Sequence, residues 1–352
     1  MERRACMRLL AGFTALAAGA VRAVDFAEVR PGRRLAFPSD HGAHPEFRSE
    51  WWYATGWLNP PAGRPLGFQI TFFRVRTGIG EDNPSAFAPR QLILAHAAIA
   101  DPALGRLRHD QRSARAGFGR AGFASERTEV WIDDWRLTQE DARRYRAVVR
   151  SDEFAYDLTL AADGPPLLHG DAGFSAKAPD PRHASHYYSR PQLSAAGTLT
   201  LAGRTLPVRG QAWLDHEWSS ELLADGAQGW DWVGVNLDDG GALMAFRLRG
   251  ADDSALWSAA TLRSSAGPGQ NFPPAGVAFA PLRHWRSPRT GIVYPVAWQL
   301  RIGRRVFELQ ALFDDQELDS RRSTGAIYWE GAVRLFEGGR EIGRGYLEMT
   351  GY

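Results

Sequence analysis

One pattern occurs twice along the chain, and it limits the fold more than any other feature. Residues 52–76 (WYATGWLNPPAGRPLGFQITFFRVR) and 230–249 (WDWVGVNLDDGGALMAFRLR) each pass from an aromatic strand through a glycine-containing turn to an apolar strand ending in Arg-x-Arg. Further on, 197–201 followed by 210–215 is matched by 331–335 followed by 345–348. Tyr187 and Tyr188 precede the first of these pieces as Tyr328 and Trp329 precede the second. The pieces keep one order in both halves, which is the signature of a duplicated unit. Two related domains are therefore expected, at 24–222 and 223–352. The first is longer through insertions at 77–90 and 162–185.

Short alternating or apolar runs separated by Gly, Pro, Asn and Asp fill both halves, and long helical periods are few, which predicts an antiparallel all-β chain. Residues 50–58 and 67–76 read as a hairpin around a proline-rich turn, with further strands at 91–100, 128–137, 144–149 and 154–161. Residues 162–185 read as loop, with Pro165, Pro166, Pro179 and Pro181, and 138–143 as a brief helical turn. Some eight to ten strands in simple succession per half suit an up-and-down barrel able to hold one small or elongated ligand.

The first residues read as a targeting segment. Arg3, Arg4 and Arg8 precede the short apolar run 9–21, and Ala20-Val-Arg-Ala23 is a small-x-small cleavage site. Residues 1–23 are expected to be a signal peptide cut after Ala23, which makes the mature protein periplasmic or secreted. The segment's four arginines and one glutamate contribute +3 to the formal charge of +2, leaving −1 without it. The basic balance therefore argues for no nucleic-acid partner. Cys6, the only cysteine, lies in the same segment, so disulfides and thiolate chemistry are excluded from the mature chain.

The chemistry centres on residues 210–218 (GQAWLDHEW). As a strand, this stretch sends Trp213, Asp215 and Glu217 to one face and Leu214, His216 and Trp218 to the other. The two carboxylates then lie about 7 Å apart on one face. Acids are poor strand formers, so the face is either wet or lines a pocket where they do chemistry. Thirteen tryptophans accompany them, with Trp51, Trp52, Trp218, Trp230 and Trp232 at strand starts. Most such rings are expected simply to pack the core; the functional alternative is an aromatic-lined cavity for a long apolar ligand, in which ring faces can stabilise a developing cation.

Other reaction classes find no support. His183 and His186 are three apart, which a strand cannot put on one face, and no HExxH occurs, so no metal site is expected. Neither Gly-x-Ser-x-Gly nor a glycine-rich phosphate loop after a strand is present, and no cofactor is expected.

Ser49-Glu-Trp-Trp-Tyr53, His186-Tyr-Tyr-Ser-Arg190 and Trp213-Leu-Asp-His-Glu-Trp218 resemble the motifs of the CrtC/AttH-like family, which includes carotenoid 1,2-hydratases and exported relatives. The resemblance spans nearly the whole chain after residue 23 and implies two tandem lipocalin-like barrels. In the hydratase branch, the acid that protonates the terminal double bond sits in an aromatic-x-Asp-His-x-Trp segment, with a His-x-aromatic motif upstream. Carried over, Asp215 is the general acid, with His186, Tyr188 and Trp213 as neighbours. Glu217, His216, Glu50, Tyr53 and Arg190 support them. Trp213 and Tyr188 depart from the aromatic residues of that branch.

Protonating a trisubstituted alkene produces a tertiary carbocation, so the acid must stay protonated near neutral pH. Burial and a nearby carboxylate (Glu217, Glu50) both act in that direction. The cavity is expected inside the first barrel, with Glu348 as the second-half counterpart of Asp215 and the second domain propping the fold or closing the hollow. The expected partner is a hydrophobic small molecule (a polyene, isoprenoid or lipid), at a membrane surface or beside a transport complex. Oligomeric state is left open. A second reading is a non-enzymatic carrier or chaperone of a hydrophobe, in which Arg48, Glu50, Asp215 and His216 tie the two barrels together by ion pairs.

Overall fold

In the computed structural model, residues 24–265 and 267–352 are described, and the expected signal peptide lies outside them. The chain is all-β, built as two antiparallel sheets in tandem, a lipocalin-like double barrel.

The first sheet holds β1 (Ser49–Asn59), β2 (Leu66–Arg76), β3 (Gln91–Ala100), β4 (Arg108–Arg115), β5 (Ala121–Phe123), β6 (Glu129–Ile132), β7 (Trp135–Gln139), β8 (Arg144–Arg150) and β9 (Phe154–Ala161). It is completed by β10 (Leu167–Leu168), β11 (Phe174–Ala176), β12 (Ala184–Leu201) and β13 (Arg204–Ser219). The second holds β14 (Gly229–Leu237), β15 (Ala242–Arg249), β16 (Ala255–Arg263), β17 (Gly269–Phe272) and β18 (Val277–Arg286). It continues through β19 (Val293–Ile302), β20 (Arg305–Ala311), β21 (Glu317–Asp319), β22 (Ile327–Glu337) and β23 (Arg340–Met349).

Each sheet is a meander whose last strand returns to its first: β13 pairs with β1, and β23 with β14. The open seam lies at β4 and β5 in the first sheet and at β17 and β18 in the second. Across the first seam Arg112 of β4 donates to the Ile132 carbonyl at 3.2 Å, so that barrel is nearly closed.

Two local readings of the sequence change. Residues 128–137 are a hairpin, because Asp133 adopts φ 53° and turns the chain between β6 and β7. The brief helix at 138–143 is the end of β7 and a turn, and the supposed loop 162–185 contributes β10 and β11, both paired with β12.

The interior of the first barrel is packed with Trp52, Phe68, Ile70, Phe72, Trp135 and Leu158. The second is filled with Val235, Leu243, Trp298, Leu300 and Leu347. Strands at the outer wall alternate, as β9 does with every second residue buried. By contrast β1 and β15 are buried on both faces. Their second face packs on the other sheet, where Tyr53, Trp57, Tyr187 and Trp213 meet Trp232, Phe246, Tyr328 and Tyr346. A β-bulge between Arg190 and Leu193 helps fasten this interface. There Gln192, at φ 59°, donates its backbone N–H to the Asn236 side-chain oxygen and its side-chain amide to the Leu237 carbonyl.

Candidate active site

Strand register decides which side chains meet. β12, β13 and β1 lie side by side, giving the rungs Ser189–Asp215–Tyr53 and Tyr187–Glu217–Trp51 on the face toward the second sheet. The rungs between them, Tyr188–His216–Trp52 and His186–Trp218–Glu50, point into the first barrel. Residues one apart on a strand take opposite faces, so the family-derived set divides into two groups that cannot touch.

On the outward face Asp215 is buried and, among the described residues, is paired with no cation. Trp213 donates its indole N–H to Oδ1 at 2.6 Å, Tyr187 donates its hydroxyl to Oδ2 at 3.0 Å, and Ser189 Oγ lies in hydrogen-bond contact with Oδ1. The indole N–H of Trp232, from the second sheet, holds Tyr187 at 2.9 Å. Burial raises the Asp215 carboxyl to about 8, outweighing the donors Ser189, Trp213 and Tyr187, and Glu217 adds to the rise. Asp215 is therefore largely a neutral acid at pH 7.

Asp215 lines a narrow apolar chamber of about 90 Å³ between the sheets. Trp51, Tyr53 and Tyr187 wall it from the first sheet, and Trp230, Trp232, Phe246 and Leu248 from the second. Past Phe73, Trp230 and Glu348 it adjoins a wider space of about 430 Å³ lined by Val75, Leu92, Leu94 and Ala326, within the range typical of ligand pockets. The sequence-based expectation of a hollow inside the first barrel is corrected. That interior is filled, and the cavity lies in the seam between sheets because both walls are needed to exclude water.

Glu348 reaches the chamber from the second sheet, with its carboxyl raised to about 7 by burial and bonded at 2.6 Å by the Trp230 indole N–H. Glu330 sits opposite it in the register and is bonded by the Tyr53 hydroxyl, its own carboxyl held well above the usual range by burial and then by Glu348. The second sheet therefore supplies acids and rings to the site. Glu217 is paired with the single lysine, Lys177, at 3.0 Å, and that ammonium lies 4.1 Å from the centre of the Phe246 ring.

Of the residues singled out from sequence, Asp215, Trp213, Glu217, Tyr53, Trp51, Trp230 and Trp232 come together here. His186, Tyr188, His216, Glu50, Arg190, Trp52 and Trp218 do not, since all sit on the barrel side of their strands. Tyr188 bonds His41 at 2.8 Å and His216 at 3.1 Å, and Arg190 holds the Tyr145 hydroxyl at 2.9 Å. Trp52 stacks on His216, and Trp218 lies 3.7 Å over His44. The structure places Tyr187 and Ser189 where His186 and Tyr188 were expected. Sequence reading also missed Lys177, Phe246 and His169, which arrive from a loop and from the other sheet.

The inward group is an ion network. Glu50 accepts from Arg74 at 2.7 Å, from His216 at 2.8 Å and from His44 at 2.9 Å. Burial disfavours charge on Glu50, but Arg74, His216 and His44 together hold its carboxyl well below the usual range. His44, Glu50 and His216 offer ligand atoms within 4.8 Å of one another, the spacing of a metal site. The donor set does not fit one: Arg74 occupies the carboxylate, and each ring nitrogen of His44 faces an acid, Asp40 or Glu50. Desolvation opposes charge on His44, yet those two acids raise its pKa. The ion pairs imagined between the barrels are thus inside one barrel, and Asp215 takes no part in them.

The AttH-like family model matches residues 28–352. A candidate AttH of Nitrosomonas europaea, known from its crystal structure, is 50% identical with a TM-score of 0.87, covering 93% of this chain and 100% of its own. Kievitone hydratase from Nectria haematococca has 15% identity and a TM-score of 0.68, covering 93% of this chain and 95% of that one. CghA, solved with Sch210972, has 14% identity and a TM-score of 0.54, covering 86% and 88%. At such identities the last two share the fold. No curated protein matches the sequence.

Proposed function

The chain belongs to the AttH-like family, and on that footing we propose that it is a hydro-lyase adding water to an apolar alkene. Its substrate class is a long unsaturated hydrophobe, such as an acyclic polyene or isoprenoid, whose branched end enters the chamber. The observation that carries this reading is Asp215, a buried acid hydrogen-bonded to the neutral groups of Trp213, Tyr187 and Ser189, paired with no cation among the described residues, and lining a cavity walled by aromatic rings from both sheets.

The chemistry follows from the geometry. The π electrons of the alkene take the Asp215 proton, forming a C–H bond and leaving a tertiary cation. Trp51, Trp230, Trp232 and Phe246 offer ring faces to that cation. Water attacks the cation through its oxygen and returns a proton to the Asp215 carboxylate, so the acid is regenerated and the product is a tertiary alcohol. Loss of a different proton from the same cation would give an isomerised alkene.

Incubation of the purified protein with lycopene or neurosporene tests this. A product heavier by one water is expected. Because the protonated form is the catalyst, its rate is level at low pH and falls as pH rises through about 8. A polyene bound and recovered unchanged would instead support the carrier reading and overturn hydration.

A further inference from the structure

Behind Asp215 runs a line of buried polar groups that the addition of water does not use. His169, between β10 and β11, is completely buried. Its Nε2 lies 2.6 Å from Ser189 Oγ, and its Nδ1 lies 2.9 Å from Thr261 Oγ1 on β16 of the other sheet. Thr261 is also buried and donates to Asn271 Oδ1 at 2.7 Å. Asn271 is exposed, and its amide N–H₂ donates to the Gly170 carbonyl at 2.5 Å. A line of contacts therefore runs from the pocket acid to the protein surface, crossing between the sheets.

Counting protons fixes the direction of every bond. The Gly170 carbonyl can only accept, so Asn271 must present its amide nitrogen to it and its oxygen to Thr261. The single Thr261 hydroxyl proton then goes to Asn271, which makes His169 Nδ1 the donor to Thr261. Burial, with Lys177 and then Arg263 nearby, holds His169 well below the usual imidazole range, so it is neutral. Neutral imidazole has one N–H, hence Nε2 accepts from Ser189. Ser189 has no proton left for Asp215, and the proton in that contact belongs to the carboxyl. With His169 neutral, this run of hydrogen bonds places the proton of the Ser189 contact on Asp215.

We propose that Ser189, His169 and Thr261 form a proton relay joining Asp215 to solvent beside Asn271, and that His169 exchanges tautomer whenever Asp215 changes charge. The relay rests on Asp215 being the acid named under the proposed function. With Asp215 ionised, the hydroxyls turn inward: Ser189 donates to the carboxylate, His169 Nε2–H to Ser189, and Thr261 to His169 Nδ1. Recharging moves one proton along each link. Ser189 gives its proton to Asp215 and takes that of Nε2, Nδ1 takes the Thr261 proton, and water at the Asn271 end restores Thr261. Each group ends with the proton count it began with, and Asp215 gains one. Ser189 and His169 are thus positioning residues acting through Asp215, able to reset it while the pocket is occupied.

The test is long-range 1H–15N spectroscopy of the full chain labelled at histidine, with His169→Gln assigning the ring. Well below the Asp215 midpoint of about 8, Nε2 is expected to be the bare nitrogen, and well above it Nδ1. Glu217, with its Lys177 partner, and Tyr187 face Asp215, Lys177 and Arg263 face His169, and Glu348 titrates in the same chamber. Glu348→Gln should therefore leave the exchange intact, while Asp215→Asn and Ser189→Ala should each abolish it. One tautomer throughout the titration, or an exchange that persists in Asp215→Asn, would overturn the relay. None of these readings needs a substrate. A failed hydration assay beside an intact exchange defeats only the proposed reaction, and turnover without exchange defeats only the relay.

Discussion

Asp215→Asn should lower kcat/KM for hydration of an acyclic polyene by roughly 10²–10⁴-fold, the usual contribution of a positioned general acid, while ligand binding is retained. The substitution keeps the shape of the side chain and its contacts with Trp213 and Tyr187, and removes the acidic proton. Binding depends on the ring walls, which are unchanged, so kcat should carry the loss. His186→Ala is the matching control. Its ring lies on the barrel side of β12, rung to rung with Trp218, and its loss should leave turnover within a few-fold of the native rate. Equal losses for the two variants would show that activity does not reside in the seam.

Arg74→Met should destabilise the protein by about 3–5 kcal/mol, the range for breaking a buried ion pair on one side. Arg74 and Glu50 are both completely buried. The guanidinium also donates to Gln91 at 2.9 Å and to the His44 and Phe47 carbonyls at 2.8 and 3.0 Å. Those carbonyls belong to the segment that leads into β1, and losing their donor adds to the loss of the pair. A urea midpoint shifted at unchanged slope measures it. Glu50→Gln combined with Arg74→Met should recover part of the loss, because no uncompensated carboxylate remains. A single variant as stable as the native protein would show that the network contributes little.

These two predictions concern opposite faces of the same strands, and that division marks where sequence reading stops. The duplication was legible because β1–β2 and β14–β15 repeat an aromatic strand, a turn and an Arg-x-Arg ending. The pairing of Asp215 with Glu217 on one face follows from alternation alone. The facing residues on β12 were not legible. A shift of one residue in register exchanges Tyr187 and Ser189 for His186 and Tyr188, and the register is set by pairing and by the bulge after Arg190. The site's far wall was legible only in part, through Trp230, Trp232 and Glu348, and their position against Asp215 was not. Phe246, Thr261 and Glu348 reach Asp215's surroundings only because two barrels pack face to face, and local pattern carries no record of that contact. What the sequence did carry was a warning: 50–58 (EWWYATGWL) is apolar on both faces, as a strand buried on both sides must be.

Everything proposed for the chemistry depends on a neutral Asp215 in a dry seam, and the carboxyl itself can be observed. A pH titration followed by infrared difference spectroscopy between the native protein and Asp215→Asn isolates its C=O stretch. The protonated band should persist at neutrality and disappear with a midpoint of about 8. Disappearance near 3.8, the ordinary value for an aspartate, would mean a solvated or ion-paired carboxylate and would contradict the account.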